Sequence, residues 1–282
     1  MANIIDGKKI ASEVRADIAA ECAALKEKGI TPGLAVIIVG EDPASKVYVK
    51  NKKKGCEEVG FHSEVYELPE ETTEEELLAL VHKLNGDDKI HGILVQLPLP
   101  KHLNDEVIIQ NIDPKKDVDA FHEINVGKIM IGNHDFLPCT PAGVMVLLER
   151  SGIEVSGKEC VVVGRSNIVG KPQAMLLLHA NGTVTICHSR TKDLAEVTRR
   201  ADILVVAIGK ADFITGDMVK EGAVVIDVGM NRRADGKLTG DVDFATVEPK
   251  ASYITPVPGG VGPMTITMLL SNTLTAAKKS VK

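Results

Sequence analysis

The chain is 282 residues long, a length typical of two domains that each have an ample core. Its 33 Lys and Arg against 39 Asp and Glu give a formal net charge of −6, and 44% of its residues are hydrophobic. This composition is ordinary for a globular protein, and it excludes the global basic field with which proteins bind nucleic acid or an anionic membrane. With no Trp and three Tyr, stacking platforms for single-stranded nucleic acid are scarce as well.

The five cysteines are scattered, odd in number and without a Cys-x-x-Cys motif. We therefore expect reduced, mostly buried thiols, and neither disulfides nor a zinc or other metal site. The N-terminal residues lead directly into an amphipathic helix, and no apolar run approaches transmembrane length. These features together predict a soluble cytoplasmic protein.

The first half of the chain alternates between helical and strand patterns. Apolar residues over 10–25 recur at helical spacing, and Gly29 ends this helix. Asp42 and Pro43 suit the N-cap and first position of a second helix. The predicted elements after the first helix are strand 34–39, helix Pro43–Val59, strand 63–68, helix 73–84, strand 92–97 and a short helix at 104–111. Such alternation is typical of an α/β fold with a largely parallel sheet.

Regular patterns fade over residues 113–141, where we place a hinge between two domains. A helix over 141–151 leads into the second domain, whose Asp235-Gly236 pair indicates a hairpin. The predicted strands of this domain are 160–163, 183–187, 203–207 and 223–228, with helices between the first three. Residues 255–263 contain three prolines and three glycines and precede a last helix over 264–278, so we expect a second hinge there. The predicted domains are 1–139, joined by a returning helix within 263–282, and a Rossmann-like domain over 140–262.

A strand, a glycine turn and the start of a helix follow one another over residues 161–172. Gly164 ends a β-branched run, and Pro172 suits a first helical turn because its missing N–H would be unpaired there. Free N–H groups and the positive end of a helix dipole favour a bound phosphate. The segment departs from the Gly-x-Gly-x-x-Gly dinucleotide pattern, because Ser166 replaces the second glycine and Gly170 comes one residue late.

The next strand bears on the choice of cofactor. An NAD-binding fold usually places a carboxylate on the ribose hydroxyls roughly 20 residues further on. Here strand Thr183–Cys187 runs into Ser189 and Arg190, with no acidic residue before Asp193. Together with Arg165, these groups suit a dianionic 2′-phosphate, so the sequence favours NADP. The alternative is a surface turn with incidental arginines.

Helix Pro43–Val59 has one charged residue that does not lie on its solvent-facing side. On a helical wheel, Lys52 is the one charged residue on a small or apolar face made of Ala44, Ser45, Tyr48, Gly55, Cys56 and Val59. Tyr48 lies one turn before Lys52, so the two side chains are neighbours. Short-chain dehydrogenases use the same Tyr-x-x-x-Lys spacing, but they place it after the nucleotide-binding turn, whereas here it comes before.

Two further polar features have both a functional and an ordinary interpretation. Gln96 lies in the apolar strand 92–97, where it is either a satisfied core glutamine or a ligand-binding group at the carboxyl end of a parallel strand. Asp117 and Asp119 alternate in Lys116-Asp-Val-Asp-Ala120, and a charged loop of this kind is more often solvated than catalytic.

Eight short segments, each of modest specificity alone, become highly specific when they occur in order along one chain. They are Val39-Gly-Glu-Asp-Pro-Ala-Ser45, Tyr48-Val-Lys-Asn-Lys52, Val95-Gln-Leu-Pro-Leu-Pro100, Lys116-Asp-Val-Asp119, Cys139-Thr-Pro141, Gly164-Arg-Ser166, Asp227-Val-Gly229 and Pro258-Gly-Gly-Val-Gly-Pro-Met-Thr265. Over nearly its whole length, the chain resembles the bifunctional methylenetetrahydrofolate dehydrogenase/cyclohydrolase family.

The resemblance implies a role for each group. The catalytic residues would be Lys52 at the centre, with Tyr48, Gln96 and Asp119; Gln96 would position the lysine, and Asp119 would hold the pterin ring. Residues 258–266 would border the folate, whose contacts would be Tyr48, Lys52, Val95, Gln96, Leu97, Asp119, Pro258, Gly259, Gly260, Gly262 and Thr265. NADP would contact Gly164, Arg165, Ser166, Ser189, Arg190 and Met230. The chain departs from the family at Ala120, where a glycine usually follows Asp119, and Arg190 is assigned by its charge alone.

The implied enzyme is a homodimer that binds tetrahydrofolate derivatives in the cleft between two α/β domains. Hydride would pass from 5,10-methylenetetrahydrofolate to NADP⁺, and water would open the methenyl product to 10-formyltetrahydrofolate. Two alternatives remain open. One is a carbonyl reductase with Tyr48 as its acid, which would oxidise NADPH with simple ketones and ignore folates. The other is an NADP-binding sensor, in which Lys52 and Gln96 pair in a core and the cofactor binds without turnover.

Overall fold

A computed structural model of the protein describes residues 1–280. Its helices are α1 (Gly7–Glu27), α2 (Pro43–Val59), α3 (Glu74–Asn85), α4 (Asp105–Gln110), α5 (Glu123–Met130), α6 (Cys139–Arg150), α7 (Gly170–His179), α8 (Leu194–Thr198), α9 (Phe244–Val247) and α10 (Val261–Ser280), with a 3-10 helix at Gly216–Met218. Its strands are β1 (Asn3–Ile4), β2 (Gly33–Val39), β3 (His62–Leu68), β4 (Gly92–Val95), β5 (Glu159–Val163), β6 (Thr183–Cys187), β7 (Ile203–Val206), β8 (Val224–Asp227), β9 (Asn231–Arg232), β10 (Leu238–Thr239) and β11 (Tyr253–Ile254). Within this described part of the chain, no helix has the length and apolar character needed to cross a membrane.

The chain forms two compact units. The three-stranded unit contains Glu13–Cys139 and the residues from Ile266 onward, so the terminal helix returns to it as predicted. The six-stranded unit contains Met1–Ser12 and Thr140–Thr265. The sequence placed Met1–Ser12 in the other domain, whereas the structure pairs β1 in parallel with β11 and so adds it to the six-stranded sheet. A strand of two residues is too short to show a pattern in the sequence.

The three-stranded unit is built on a parallel sheet with the order β3-β2-β4. All residues of the central strand β2 are buried, which explains its unbroken apolar sequence. Leu77, Val81 and Leu84 of α3 are fully buried and pack with alternate residues of β2 and β4 in one core. Truncation of such a side chain to alanine costs about 2–5 kcal/mol, so this core holds the carboxyl ends of β2 and β4 firmly.

The six-stranded unit has the order β1-β11-β8-β7-β5-β6, and each neighbouring pair is parallel. The chain leaves β5 for β6 on one side and then crosses to β7 on the other, so the strand order reverses at β5. In open parallel sheets, ligands bind at the carboxyl ends of the strands beside such a reversal. The predicted strands and the helices between them are confirmed, and so is the hairpin, in which Gly236 has a left-handed φ of 82°.

Helix α5 lies in the region where sequence patterns fade, and the sequence missed it. It buries only Asn125 and Ile129, while Ile124, Val126 and Met130 are exposed. Helix prediction depends on apolar residues that recur at helical spacing on a buried face. In α5 most of the apolar residues are exposed and a polar residue is buried, so the sequence does not show this pattern. His122 begins the helix, because its Nδ1 accepts the N–H of Ile124 at 3.1 Å.

Candidate active site

Helix α2 directs Lys52 into the three-stranded unit. The buried residues of the helix are Ser45, Val49, Lys52, Gly55, Cys56 and Val59, whereas the neighbouring Lys50 and Lys53 are exposed. Lys52 is only 8% exposed, as its place on the helical wheel predicts. Two residues on the same side of the wheel as Lys52 are not buried, since Ala44 is exposed and Tyr48 is 37% exposed. On the helical wheel both residues lie to one side of Lys52. Val49 lies to the other side and is buried.

The amine of Lys52 meets the amide of Gln96. Lys52 Nζ donates to Gln96 Oε1 at 2.9 Å. The other end of the amide donates to the Leu97 carbonyl at 2.6 Å, and the backbone N–H of Gln96 donates to Ile37 O at 2.8 Å. Gln96 follows directly after β4 and is partly exposed, so it is not a core glutamine. Its oxygen is fixed toward the lysine by the bond that its nitrogen makes.

Asp119 lies near Lys52 on the loop that follows Asp117. The carboxylate of Asp119 accepts a weak hydrogen bond from Cys139 Sγ at 3.4 Å. The next residue, Ala120, is fully buried and has a left-handed φ of 58°. This is the position where the family usually has glycine, the residue that adopts this conformation at little cost. The departure noted in the sequence therefore falls on a backbone that favours glycine.

The loop before Asp119 is not solvated, contrary to the ordinary interpretation of its charges. Asp117 is 2% exposed, and its carboxylate accepts the His122 N–H at 2.9 Å and Asn125 Nδ2 at 2.8 Å. Ile93 N also donates to Lys116 O at 2.8 Å, which aligns the loop with β4. The Asp117 carboxylate thus joins its own loop to the start of α5 by hydrogen bonds, and these bonds fix the position of the loop that carries Asp119.

Burial shifts the charged groups of this cluster toward their neutral forms. It lowers the pKa of Lys52 below its usual value, and the nearby Asp119 carboxylate opposes this shift without cancelling it. It raises the pKa of Asp119, although the Lys52 ammonium works in the other direction. Asp119 keeps some accessible surface, but the protein atoms around it are dense enough for desolvation to dominate. A lysine of this kind is easier to deprotonate than one in water.

Two residues of this cluster were not identified as site residues from the sequence. Cys139 was treated as an ordinary buried thiol, yet it contacts Asp119, and burial raises its pKa well above the usual value. Asn272 on α10 donates to both Val118 O and Leu137 O at 2.8 Å, so it anchors the chain on either side of the cluster. The segment Cys139-Thr-Pro141 was a signal for the cysteine, but an asparagine in a long helix had none.

The second group of predicted site residues lies at the carboxyl edge of β5 and β6 in the six-stranded unit. Gly164 N donates to Cys187 O at 2.9 Å, which joins the turn after β5 to the strand that leads to Ser189 and Arg190. Gly164 has a φ of 136°, and a side chain there would collide with the Ala207 carbonyl. The exposed Arg165 and Arg190 therefore follow two neighbouring strands.

The turn after Gly164 has the groups that a phosphate requires. Ser166 Oγ accepts the N–H of Val169 at 3.2 Å and of Gly170 at 3.3 Å, at the start of α7. Within residues 1–280, the backbone N–H groups of Arg165, Ser166 and Asn167 have no acceptor. Unpaired N–H groups before a helix N-terminus, with arginines beside them, fit a phosphorylated dinucleotide such as NADP.

The remaining predicted residues also lie in the six-stranded unit. Met230 follows β8, and its Cε lies close enough to Gly262 to contact any Cβ placed there. Thr265 Oγ1 lies 2.9 Å from Thr140 Oγ1, and Gly260 packs against Thr255 and the Pro256 carbonyl with no room for a side chain. Pro258 and Gly259 lie in the turn before α10. Met230 is thus brought together with the turn that was expected to border the folate.

All five cysteines are free, and they are buried as the sequence predicts. Among residues 1–280, no group of three or more His, Cys, Asp and Glu side chains is placed to hold a metal ion.

Comparison with known proteins gives matches along the whole chain. Residues 5–119 match the family model of the tetrahydrofolate dehydrogenase/cyclohydrolase catalytic domain, and residues 138–281 match the NAD(P)-binding domain of the same family. The bifunctional protein FolD of Acetivibrio thermocellus is 63% identical over 281 residues, covering 100% of this chain and 99% of that protein. FolD of Moorella thermoacetica is 62% identical, with 99% of each chain covered.

Solved structures agree with these matches. The bifunctional enzyme FolD, a methylenetetrahydrofolate dehydrogenase/cyclohydrolase from Campylobacter jejuni, superposes with a TM-score of 0.98 at 53% identity and 100% coverage of both chains. The Trypanosoma brucei N5,N10-methylenetetrahydrofolate dehydrogenase-cyclohydrolase, complexed with NADP cofactor and inhibitor, gives a TM-score of 0.95 at 43% identity, covering 100% of this chain and 99% of that one.

Proposed function

The chain belongs to the tetrahydrofolate dehydrogenase/cyclohydrolase family, and from this premise we propose that Lys52, Gln96 and Asp119 are its catalytic centre. Tyr48, one turn before Lys52, would line the folate together with Val95 and Leu97, which flank Gln96. Pro258, Gly259, Gly260, Gly262 and Thr265 would supply the remaining folate contacts. Gly164, Arg165, Ser166, Ser189, Arg190 and Met230 would hold NADP.

The chain is a bifunctional, NADP-dependent enzyme of one-carbon folate metabolism. It oxidises 5,10-methylenetetrahydrofolate to 5,10-methenyltetrahydrofolate, and it hydrolyses the methenyl compound to 10-formyltetrahydrofolate. The two alternatives drawn from the sequence, a carbonyl reductase and a cofactor sensor, are therefore wrong.

One observation carries the assignment of the centre: the buried Lys52 amine is held at 2.9 Å by a neutral amide oxygen. A carboxylate in that place would keep the lysine protonated, whereas an amide orients the amine and adds no charge. Burial lowers the pKa of Lys52, so its neutral form is accessible for proton transfer.

In the hydrolytic step, a neutral Lys52 would act as general base. Water adds to the methenyl carbon while Lys52 Nζ accepts one of its protons, and the electrons of the C=N⁺ bond return to nitrogen. The tetrahedral carbon then collapses to the formyl group, and its bond to the other nitrogen breaks. The Lys52 ammonium gives the proton to that leaving nitrogen, and the hydroxyl proton is released to water. Gln96 would hold Nζ in place during both transfers.

In the oxidative step, the lone pair of a folate nitrogen drives hydride loss from the methylene carbon, so a protein base is not required. When bound, NADP⁺ supplies the hydride acceptor. The residues of this chain would bind and orient: the free N–H groups after Gly164 would hold phosphate, and Arg165 and Arg190 would flank the 2′-phosphate. Asp119 would hold the pterin ring.

We further propose a cytoplasmic homodimer with neither nucleic acid nor membrane as a partner. Strand β3 is at the edge of its sheet, and an edge strand can pair with a second chain. Five free thiols suit a reducing compartment. Light scattering after gel filtration would measure the mass in solution, and a mass near that of one chain, 30.2 kDa, would contradict the dimer.

One assay tests the proposed function directly. Purified protein is mixed with 5,10-methylenetetrahydrofolate and either NADP⁺ or NAD⁺, and the absorbance of the methenyl product is followed. We expect turnover with a preference for NADP⁺, and separate hydrolysis of added methenyltetrahydrofolate. Hydrolysis that survives in Lys52→Met at the wild-type rate would contradict the catalytic centre proposed above.

A further inference from the structure

A carboxylate outside the cluster around Lys52 is buried at the carboxyl edge of the six-stranded sheet. Asp241 is fully buried, and its Oδ2 accepts the backbone N–H groups of Ile208 at 2.7 Å and Gly209 at 3.0 Å. Its Oδ1 accepts the N–H of Lys210 at 2.8 Å and Asn231 Nδ2 at 2.9 Å. Consecutive N–H groups around a left-handed residue, here Gly209 with a φ of 66°, form a concave anion site. Asp241 therefore fills an anion site within its own chain.

Asp241 also holds the rest of the loop after β7, through its backbone carbonyl. Its backbone carbonyl accepts the N–H groups of Phe213 at 2.8 Å and Ile214 at 3.0 Å. Its side chain packs against Gly229 so closely that a Cβ on that glycine would collide with the carboxylate. The loop after β7 and the turn after β8 are thus joined through one carboxyl group, and that turn carries Met230.

A second buried carboxylate holds Asp241 in place. Asp227 Oδ1 accepts the N–H groups of Gly229 and of Asp241 itself, both at 2.9 Å, and its Oδ2 accepts the N–H of Val242 at 2.9 Å. Neither carboxylate forms a salt bridge with any of the described residues. Two buried carboxyl groups with no cation beside them are costly unless hydrogen bonds satisfy their oxygens, and here each of the four oxygens accepts at least one.

These groups lie at the same edge of the sheet as the proposed NADP site. Strands β7 and β8 are neighbours, and β7 also pairs with β5, whose carboxyl end carries the open turn of Arg165, Ser166 and Asn167. The edge therefore has two concave sets of N–H groups, one open and one filled. We propose that Asp241 is a positioning residue, which closes the second anion site and shapes the loop 208–214 and the Met230 turn so that NADP phosphate binds only at the first. This inference rests on the NADP site proposed above.

The test is Asp241→Asn in the full chain. All four groups that face the carboxylate are donors, so either orientation of the amide directs its NH₂ against two of them. The loop must then move, and it would move the turn that carries Met230 with it. We expect the Kd for NADP⁺, measured by calorimetry, to rise at least about tenfold and kcat/KM for the dehydrogenase to fall with it. Hydrolysis of added methenyltetrahydrofolate, which consumes no cofactor, should stay within about twofold of wild type.

A milder variant and a control keep the test decisive. Asn231→Ala removes one donor and the side-chain link between the two loops, and it should raise the Kd for NADP⁺ in the same direction even where Asp241→Asn does not fold. Asp202→Asn changes a carboxylate that accepts from Lys220 just before β7, at the opposite end of that strand, and it should leave the Kd unchanged. An unchanged Kd in folded Asp241→Asn, or in Asn231→Ala alone, would overturn the inference. Equal loss of both activities with an unchanged Kd would also overturn it. Absence of folate turnover in the wild-type chain would instead contradict the proposed function.

Discussion

Replacement of Lys52 by methionine should separate the two reactions. The substitution keeps the length of the side chain and removes the amine that donates to Gln96 Oε1. General base catalysis is worth about 10²–10⁴-fold, so we expect hydrolysis of methenyltetrahydrofolate to fall by at least about 100-fold. Hydride transfer needs no protein base, so most dehydrogenase activity should remain and the methenyl compound should accumulate.

The structure also sets the expected change in stability. Loss of the amine leaves Gln96 Oε1 without its partner, and an unsatisfied buried acceptor costs about 1–3 kcal/mol. Gln96 is partly exposed and can bind water instead, so the cost should lie at the lower end of that range. Removal of a buried amine from an apolar helix face should stabilise the folded state and so offset part of this cost. Lys52→Met should therefore fold, and urea unfolding would verify that its lost activity is not lost structure.

Two further measurements distinguish proton transfer from simple charge. Lys52 is protonated below its pKa and inactive as a base, so the wild-type hydrolysis rate should rise with pH and level off below the usual lysine pKa of 10.5. Lys52→Arg keeps a charge that is not lost in this range, and it should be as slow as Lys52→Met. Lys53→Met, one residue away on the exposed side, is the matched control and should behave as wild type. Equal loss of both activities in folded Lys52→Met would refute proton transfer and assign the lysine to positioning, and loss of neither would remove it from the catalytic centre.

Four other predictions follow from named contacts. Gln96→Ala should lower kcat for hydrolysis and leave the fold intact, and unchanged kinetics or an unfolded variant would contradict its role in positioning the lysine. Arg165→Ala should raise KM for NADP⁺ by about 10- to 150-fold, the effect of one lost charge-assisted contact, and equal effects on NAD⁺ would contradict the 2′-phosphate assignment. Ala120→Gly should change the unfolding free energy by less than about 1 kcal/mol, because relief of the left-handed backbone offsets the lost methyl and the freer unfolded chain, whereas Ala174→Gly, equally buried in α7, should cost about 2 kcal/mol. Burial, with the Asp241 charge nearby, raises the pKa of Asp227 to about 7 from 3.8, so the folded chain holds a proton that the unfolded chain has lost. Rising pH should therefore destabilise wild type relative to Asp227→Asn by roughly 3 kcal/mol between pH 5 and pH 8 in urea unfolding, and a constant difference would refute that pKa.

Features that depend on local burial could be predicted from the sequence. Strands β2 and β5 have unbroken apolar runs because parallel strands are covered on both faces. Lys52 could be singled out because it is the one charge on an inward helix face, and the structure confirms that it is buried. Helix α5 and strand β1 could not be predicted, since one buries little apolar surface and the other has two residues.

The surroundings of the charged loop were harder to predict because they depend on distant parts of the chain. Asp117 is buried because Asn125 and the N–H of His122 reach its carboxylate. Asp119 has Cys139 as its neighbour, and Asn272 on the terminal helix holds the backbone beside it. A run of alternating charges contains no information about whether such partners will be present. The sequence could identify Asp117 and Asp119 as candidates. Only the fold could show that Asp117 has a structural role, which leaves Asp119 as the candidate for binding a ligand.

The two sets of N–H groups at the edge of the six-stranded sheet also depend on residues that are distant in the sequence. Gly164-Arg165 and Gly209-Lys210 are both a glycine and a basic residue soon after a buried strand, so their local sequences predict the same kind of anion site. One is open because its N–H groups meet no acceptor among residues 1–280, and the other is closed because Asp241 reaches it from the far end of a hairpin. By the proposal made above, ligand specificity at this edge depends on the carboxylate that fills one site as well as on the arginines beside the other.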